Sequence, residues 1–387
     1  MKKIVVYILL VCFVFSVQAR KWEEECIAGF EKEIQSFRQE MENVGLSVVF
    51  VKDSKIVYTK QFGVKNLQTH DPVRENTMFR IASISKSFTT TGLLQLVEQG
   101  KVSLDIDVSE LAGFTVRNPH YPDKVITLEM LLSHTSSIND SQGYYVTLDV
   151  INPEKNPNYA KCYNSYEPGC GYEYCNLNLN LSGSFLEKLS GERFDQYVVR
   201  HILRPLGMYG GYCVDSLATD RFASLYEYGK GKFSCTDESA YNPRSKEIAS
   251  YVMGRDAILF SPTGGMKLSA VDLAKYMIMH MNYGTTPDGV KIISDRLSKN
   301  MQTPRSLDEN YGLTLNRTSQ YSPGVELVGH TGGAYGMRSA MYFNPEKKYG
   351  FVMLSNGSRP RAADGKTGII EGVLQRMYKN FVLKAGM

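Results

Sequence analysis

The stretch RIASISKSFTTTGLLQLVEQG, residues 80–100, places a cluster of serines at the start of an apolar helical pattern. Within it, Ser83 and Lys86 form an S-x-x-K pair. Residues three apart share one face of a helix, so we expect the Ser83 hydroxyl and the Lys86 amine to lie side by side. A lysine takes a proton from a serine only where burial or nearby positive charge lowers its pKa.

An S-x-x-K pair is a weak signal on its own, because a chain of this length contains roughly one or two by chance. The alternative interpretation is a serine-rich helix start in which Ser83 is the N-cap and Lys86 is solvated. Other segments of the chain have to decide between the two interpretations.

A second polar group stands in GYEYCNLNLNLSGSFLEKLSG, residues 171–191, where a loop pattern changes to a helix pattern. A phenol beside an ammonium ionises more easily, so we expect Tyr174 to relay the proton that Ser83 gives up. Asn176 is expected to hold a substrate amide and to orient Lys86. The alternative is a capping asparagine beside a packed tyrosine.

A third group stands in VGHTGGAYGMRSAMYF, residues 328–343, which has the pattern of two strands and a turn. Glycines on a strand let a substrate backbone lie close, and the Gly333 N–H is expected to form an oxyanion hole with the Ser83 N–H. His330 adds a group expected to titrate near neutral pH. The alternative is a hairpin end with a structural histidine.

The order S-x-x-K, Y-x-N and H-T-G resembles the serine β-lactamase and penicillin-binding protein superfamily, in the branch of class C β-lactamases and D-alanyl-D-alanine carboxypeptidases. The phrases TLEMLLSHTSSI, ILRPLGM, SPTGGMKLSAVDLAKYM and YFNPEKKYGFVMLSN also resemble blocks of that family. The similarity runs from about Gly45 to Asn356, which is most of the chain.

The resemblance implies acyl transfer, in which Ser83 attacks a carbonyl carbon and Lys86 and Tyr174 move the protons. No cofactor or metal is predicted, because the sequence has no C-x-x-C and no paired histidine near its cysteines. Together with the amino-terminal pattern described below, the resemblance predicts an exported serine hydrolase, a peptidase or esterase that acts on D-amino-acid-containing peptides or related amides and esters. The alternatives are a class C-type β-lactamase and an inactive penicillin-binding-like module. The substrate-binding residues that the resemblance implies are Asn176, His330, Thr331, Gly332 and Gly333.

Some residues depart from the family pattern and leave the substrate open. Class C β-lactamases usually have a lysine at the position of His330, so a permanent charge for a substrate carboxylate is missing here. Gly333 stands where some carboxypeptidases have a hydroxyl residue. Arg338 is an alternative source of charge, unless it is a solvated strand arginine. His134 has a structural counterpart in the family and is not assigned to the site.

The segments on both sides of these motifs predict an α/β (α+β) fold. Residues 23–42 have helical spacing, residues 46–66 have the pattern of a β-hairpin, and residues 325–356 repeat strand patterns before a helix at about 365–383. Between them the spacing is mostly helical. We therefore expect a β-lactamase/transpeptidase-like fold, with an antiparallel sheet built from both chain ends, flanking helices and a mostly helical insertion at about 87–300.

The amino terminus predicts export. Lys2 and Lys3 precede 14 apolar residues, Ile4–Val17, and small residues then stand at positions that a signal peptidase reads. We expect residues 1–19 to be a cleaved signal peptide, residues 20–387 to form one hydrolase domain without a stable membrane anchor, and the protein to be periplasmic or extracellular. The apolar run is short for a transmembrane helix.

Charge and cysteine content narrow the remaining classes. The 387 residues carry a net charge of +4 without a clustered basic stripe, so nucleic-acid binding is not predicted. The expected partner is a small-molecule or peptide substrate, as the resemblance implies. Six of the seven cysteines remain after the predicted cleavage, and an even number in an exported chain indicates disulfides. Cys175 is expected either to pair with Cys162 or Cys170 or to be a buried thiol. The sequence leaves the oligomeric state open.

Overall fold

The structure is a computed structural model that describes residues 24–306 and 309–384. Contacts divide the chain into two compact units, the larger of which is Val44–Ser358. The smaller unit combines the two terminal segments, of which residues 24–43 and 359–384 are described. The predicted signal peptide, residues 1–19, lies outside the described residues and stays a prediction. Within the described ranges, no helix has both the length and the apolar character needed to cross a bilayer.

The smaller unit contains the helices predicted near both ends of the chain. Helix α1 spans residues 24–40, and α11, Ile369–Tyr378, continues as a π-helical turn at Lys379–Leu383. The rings of Phe30 and Phe381 lie 4.9 Å apart. A Cβ at Gly372 would come within 2.0 Å of the Phe37 ring, so this glycine lets α11 pack closely against α1.

The larger unit is built on a six-stranded antiparallel sheet with the order β2-β1-β11-β10-β9-β8. The hairpin of β1 and β2 turns at Asp53 and Ser54, whose φ angles of 51° and 59° match the tight turns that follow the strand twist. The predicted sheet with strands from both chain ends is therefore confirmed. Its strands are β1 (Gly45–Lys52), β2 (Lys55–Gly63), β8 (Asn316–Thr318), β9 (Leu327–Ala334), β10 (Met337–Asn344) and β11 (Tyr349–Ser355).

Helix α9, Ala270–Met281, packs on this sheet against β1, β10 and β11. Its amino terminus is capped by the Ser269 hydroxyl, which accepts a hydrogen bond from the Asp272 N–H at 3.1 Å. The absence of a side chain at Gly350 makes room for Met277, whose Cε would lie 2.8 Å from a Cβ there. This helix is one of those expected from the mostly helical spacing between the two sets of strands.

A mostly helical region lies between the two sets of strands in the sequence, as predicted. It also contains a small sheet with the order β3-β7-β4 and a hairpin of β5 and β6. Its helices are α2 (Ser85–Glu98), α3 (Val108–Ala112), α4 (Leu128–Leu132), α5 (Asn176–Ser190), α6 (Phe194–Val198), α7 (Glu238–Tyr241), α8 (Ser245–Ile248) and α10 (Asp295–Gln302). Its strands are β3 (Phe79–Arg80), β4 (Gly210–Gly211), β5 (Tyr226–Gly229), β6 (Lys232–Cys235) and β7 (Lys267–Leu268).

Helix α2 is buried on almost every side, although the sequence suggested burial of one apolar face. Its polar side chains are accommodated by hydrogen bonds inside the core. Thr89 donates to the carbonyl of Pro262 at 3.0 Å, and the hydroxyls of Thr91 and Tyr276 are 2.8 Å apart. Leu93, Leu94 and Leu96 are also buried, and the enclosed helix gives the residues at its start a rigid support.

The predicted disulfides are wrong for the cysteines of the larger unit, all of which are free thiols. The thiols point to separate partners: Cys175 donates to Asp140 Oδ1 at 3.2 Å, and Cys162 donates to the carbonyl of Val150 at 3.6 Å. Cys170 is exposed. Of the two states expected for Cys175, the buried thiol is the one observed. The free thiols are Cys162, Cys170, Cys175, Cys213 and Cys235.

Candidate active site

Ser83 lies in a short 3₁₀ turn, Ala82–Ile84, between strand β3 and helix α2. Ala82 has a φ of 46°, a left-handed conformation that is unfavourable for a residue with a Cβ, and it bends the chain sharply there. The carbonyl of Ile81 accepts a hydrogen bond from the Ser339 hydroxyl at 2.8 Å, which ties this turn to β10. The side chain of Ser83 does not cap α2, so the alternative interpretation of Ser83 as an N-cap is wrong.

The Lys86 amine is fully buried and is held by three short contacts. Its Nζ lies 3.1 Å from Ser83 Oγ, 2.9 Å from Asn176 Oδ1 and 3.0 Å from the carbonyl oxygen of Thr263. Burial is the largest cause that lowers the pKa of Lys86, to about 7, and the positive charge of Arg80 acts in the same direction. A large fraction of this amine is therefore neutral at physiological pH.

The neutral amine has one arrangement that satisfies all three contacts. The amide oxygen of Asn176 and the carbonyl of Thr263 can only accept, so they take the two N–H bonds of the neutral Lys86. The remaining lone pair then faces Ser83 Oγ. Neutral Lys86 is thus oriented to accept the proton of the Ser83 hydroxyl, which is what a general base for this nucleophile requires.

Asn176 is oriented in turn by Asp140, which the sequence did not single out. Asp140 Oδ2 accepts hydrogen bonds from the backbone N–H and the side-chain Nδ2 of Asn176, at 3.0 and 2.9 Å, and Oδ1 accepts from the Leu177 N–H at 2.9 Å. Asn176 therefore serves to position Lys86, as predicted. Asp140 takes one of the two N–H bonds of the Asn176 side-chain amide, and the expected contact of Asn176 with a substrate amide stays a prediction.

The Tyr174 ring lies over the Lys86 amine, with 4.7 Å between Nζ and the ring centroid. Its hydroxyl is buried, and Ser83 is the neighbouring side chain that interacts with it, without a hydrogen bond of normal geometry in the described part of the chain. Burial raises the pKa of Tyr174 above its ordinary value, and the neighbouring Ser83 side chain offsets this only in part. The expected ease of ionisation is wrong in direction, and Tyr174 is placed beside Ser83 and Lys86 as a protonated phenol.

His134 holds the segment that presents Tyr174 and is structural, as the resemblance implies. Its Nδ1 accepts a hydrogen bond from the Cys175 N–H at 3.2 Å, and its carbonyl accepts one from the Glu173 N–H at 3.0 Å. Burial lowers the pKa of His134 well below its ordinary value. The imidazole is therefore neutral and fixes the loop on both sides of Tyr174.

Strand β9 brings its two glycines to the turn that carries Ser83. A Cβ on Gly332 would lie 3.1 Å from the Ser83 nitrogen and 2.4 Å from the carbonyl oxygen of Ile81, so only glycine allows this close approach. Gly333 lines the same cleft as Ser83. The position of these glycines is compatible with the predicted oxyanion hole, although the role of the Gly333 N–H stays a prediction.

His330 and Thr331, in contrast, are not among the residues that line this cleft in the described structure. His330 is 6% exposed, and its Nε2 lies 3.0 Å from the Tyr311 hydroxyl. Burial and the nearby Lys86 lower the pKa of His330 to about 4, so the expected titration near neutral pH is wrong. The His330 Nδ1 is bonded to the carbonyl of Thr331.

The cleft in front of Ser83 has a volume of about 710 Å³. Tyr174 and Asn176 line it together with Gly333, so four of the predicted site residues face one cavity. Arg338 does not line it within the described residues; its guanidinium lies near Gly333 and donates to the carbonyl of Met337 at 2.8 Å. Aromatic side chains contribute much of the wall, and they are Tyr144, Tyr145, Tyr212, Phe260 and Tyr335.

A sequence model of the β-lactamase family matches residues 30–374. The chain belongs to the β-lactamase family. The match covers every residue of the site described above, and it confirms the resemblance that the three motifs indicated. The mixed α/β fold with an antiparallel sheet is the fold expected for such a chain.

Three relatives of this β-lactamase family member are distant in sequence. Protein flp of Staphylococcus aureus strain MW2 is 23% identical over 331 residues, which cover 81% of this chain and 59% of flp. The chain therefore spans about three fifths of the length of this curated relative. A penicillin-binding protein homologue from Pyrococcus abyssi, an octamer, is 26% identical with a TM-score of 0.71 over 92% of this chain and 77% of that one. The D-amino acid amidase of Ochrobactrum anthropi SV3 is 18% identical, with a TM-score of 0.71 over 94% and 100%.

Two residues that hold the site, Asp140 and Thr263, do not belong to the three sequence motifs. Asp140 lies 36 residues before Asn176 in the chain, and Thr263 lies 177 residues after Lys86. Thr263 stands inside the phrase SPTGGMKLSAVDLAKYM, and Asp140 follows the phrase TLEMLLSHTSSI by two residues. Asp140 could have been found from the start of α5. The backbone N–H groups there require an acceptor, and no residue of the helix start caps them, so an acidic side chain from another segment is needed.

Proposed function

We propose that this chain is a serine hydrolase that cleaves amide or ester bonds in small D-amino-acid-containing peptides or related compounds. The observation that carries the proposal is the 3.1 Å contact between Lys86 Nζ and Ser83 Oγ, made by an amine whose other contacts are both to acceptors. A neutral lysine in this arrangement can deprotonate the serine as the serine attacks a carbonyl carbon.

Acylation then proceeds in two proton transfers. The Ser83 Oγ–H proton passes to Lys86 Nζ while Oγ bonds to the carbonyl carbon, and the carbonyl oxygen takes the negative charge. The N–H groups of Ser83 and Gly333 stabilise that oxyanion. When the bond to the leaving group breaks, the leaving nitrogen or oxygen receives a proton and the acyl group stays on Ser83.

Tyr174 supplies the proton to the leaving group. Its raised pKa keeps the phenol protonated at neutral pH, and its ring lies against the Lys86 amine that then holds the serine proton. The phenol donates to the leaving group and recovers a proton from Lys86, so the site returns to its starting charge. A water molecule, deprotonated by neutral Lys86, later hydrolyses the acyl-enzyme, and Ser83 Oγ recovers that proton when its bond to the acyl carbon breaks.

The substrate class is supported by the cleft and by the relatives. A cavity of about 710 Å³ is of the size that accommodates a small peptide or a drug-sized molecule. The name of the Ochrobactrum anthropi amidase states action on D-amino acids, and the Pyrococcus abyssi protein is named for penicillin binding. The neutral, buried His330 favours peptides and esters over β-lactams, because the strand lacks a charge for their carboxylate.

Export is the second part of the proposal. It rests on the two lysines and the apolar run of residues 1–19. Sequencing of the amino terminus of the protein recovered from outside the cytoplasm tests it. A mature chain beginning at Arg20 supports export, whereas recovery of the uncleaved chain from the cytoplasm alone contradicts it.

Intact-mass spectrometry after exposure to a fluorophosphonate and to penicillin tests the enzymatic proposal. A single adduct is expected on the wild type and none on Ser83→Ala, with Ser141→Ala as a matched control that keeps the adduct. An adduct that survives in Ser83→Ala contradicts the assignment. Rapid turnover of a chromogenic cephalosporin, without hydrolysis of D-amino-acid amides or esters, contradicts the proposed substrate class in favour of a β-lactamase.

A further inference from the structure

Two cations stand side by side in the wall of the same cleft. Arg80 on β3 and Lys267 on β7 are directly paired in the antiparallel register. Side chains of residues paired in this way lie on one face of the sheet. Both side chains line the cavity that contains Ser83. The positive charge of Arg80 also contributes to the lowered pKa of Lys267.

Arg80 has no carboxylate partner within the described residues. Its Nε donates to the carbonyl of Gly264 at 2.7 Å, Nη1 makes a long contact of 3.5 Å to the carbonyl of Ser239, and the guanidinium lies 4.9 Å from the Tyr335 ring centroid. Nη2 carries two further N–H bonds for which no acceptor is found in the described structure. The guanidinium is thus held by hydrogen bonds from Nε and Nη1 and by the face of the Tyr335 ring, whereas the Nη2 donors remain available to a ligand.

Lys267 forms no ion pair with a carboxylate in the described part of the chain, and the charge of Asp215 is the one carboxylate charge that raises its pKa. It is 4% exposed, and its Nζ donates one hydrogen bond, to the carbonyl of Tyr212 at 2.7 Å. Burial is the main cause that lowers its pKa, to about 7. A charged side chain that is this deeply buried is normally paired with an opposite charge. Arg80 and Lys267 are adjacent cations that face a cavity, and they lack such an anion.

The other charged groups of the cleft do not complete it. Arg244 adds a third cation to the lining, and its guanidinium pairs with Glu247 at 3.2 Å. Glu238 is the one carboxylate among the described lining residues, and no ion pair joins it to Arg80 or Lys267. The wall around Arg80 therefore has a net positive charge.

We propose that Arg80 and Lys267 form an anion subsite that binds a carboxylate of the substrate. This inference rests on the proposed function and assigns the substrate an acidic group. A carboxylate fits both the free Nη2 donors of the guanidinium and the unused protons of the lysine. It also relieves the repulsion between the two cations and brings Lys267 fully into its charged form.

Calorimetric binding to Ser83→Ala tests the subsite without turnover. The first pair of probes is N-succinyl-D-alanine amide, which has a carboxylate at the acyl end, and its succinamoyl analogue, in which that carboxylate is an amide. The other pair is N-acetyl-D-alanyl-D-alanine and its carboxyl-terminal amide, which places it at the leaving end. We expect the acid of at least one pair to bind at least about tenfold more tightly than its amide.

Charge variants in the Ser83→Ala background locate the subsite. Arg80→Gln and Lys267→Met are each expected to reduce the preference to about twofold, whereas Arg80→Lys retains part of it because the charge remains. Arg338→Gln is the matched control and keeps the preference. Circular dichroism reports whether each variant is folded. If Arg80→Gln does not fold, Arg80→Lys and Lys267→Met still test the subsite.

Two results overturn the subsite. One is a preference below about twofold in both probe pairs, and the other is a preference that disappears in Arg338→Gln but survives in Arg80→Gln. Failure of the proposed function gives a different pattern, because it removes the Ser83 adduct in the wild type while carboxylate binding to Ser83→Ala persists.

Discussion

Asp140 accepts hydrogen bonds from both the backbone N–H and the side-chain amide of Asn176, at 3.0 and 2.9 Å. This pairing fixes which end of the Asn176 amide faces which neighbour. Because Nδ2 is bonded to Asp140, Oδ1 faces Lys86 Nζ at 2.9 Å. A carboxylate outside the three sequence motifs therefore determines how the candidate general base is held.

Replacing Asp140 by asparagine is expected to disturb this orientation. Asp140→Asn removes acceptors from the start of α5 and should lower the acylation rate by about tenfold or more. The negative charge of Asp140 also raises the pKa of Lys86, so its removal should shift the midpoint of the pH profile to lower pH. Measurement of the acylation rate from pH 5 to 9 checks both effects. Asp149→Asn, which removes an exposed carboxylate paired with Lys155, is the control, and an unshifted midpoint in Asp140→Asn would count against the positioning role.

Tyr174→Phe is expected to separate substrates by their leaving groups. Loss of the phenol should slow hydrolysis of a para-nitroanilide by about 10²- to 10⁴-fold, but the matched para-nitrophenyl ester by about tenfold or less, because nitrophenolate leaves without a proton. The melting temperature should change little, since the buried hydroxyl forms no hydrogen bond of normal geometry in the described structure. An equal loss on both substrates would contradict the assignment of Tyr174 as the proton donor.

Gly332→Ala tests the close approach of β9 to the turn Ala82–Ile84, which carries Ser83. The new Cβ would lie 2.4 Å from the carbonyl oxygen of Ile81 and 2.4 Å from Ser339 Oγ, so β9 has to move away from Ser83. We expect a loss of about 1–3 kcal/mol in unfolding free energy and slower labelling of Ser83 by a fluorophosphonate. Gly229→Ala is the control, because a Cβ there meets nothing within 4 Å. Normal labelling of Gly332→Ala would show that the close approach is not needed.

His280→Leu is expected to change the pH dependence of stability. Burial lowers the pKa of His280 to about 3, so the folded protein keeps the ring neutral while the unfolded chain takes up a proton below about pH 6.5. This stability is present above pH 6.5 and is lost as the pH falls, by about 2 kcal/mol at pH 5. Urea denaturation at pH 5 and 8 should show that His280→Leu removes this part of the loss, whereas His120→Leu at an exposed position does not. An identical loss in the wild type and in His280→Leu would contradict the account.

The sequence predicts contacts within one element better than contacts between loops. The proximity of Ser83 and Lys86 follows from their spacing, because Lys86 lies in the first turn of α2 and Ser83 in the turn just before it. The alternation of apolar residues likewise predicts the strands from both chain ends. Asp140 and Thr263 reach the site from turns that carry no periodic pattern, so their positions could not be derived from spacing.

Ionisation was the least predictable property of the site. His330 and Tyr174 were expected to titrate according to residue type and neighbouring charge, but burial is the largest influence on the pKa of each. For Lys86, burial and positive charge act together, and the expected lowering is found. The degree of burial depends on tertiary packing around α2 and β9, which the local sequence does not specify.

The pH dependence of Ser83 labelling by a fluorophosphonate tests the central claim most directly. Neutral Lys86 is the form that accepts the serine proton, so the rate constant should rise with pH and level off, with a midpoint near the pKa of about 7. Lys86→Met should abolish this rise and slow labelling at every pH. A rate that is constant from pH 5 to 9, or that rises only near the ordinary lysine value of 10.5, would contradict activation of Ser83 by Lys86.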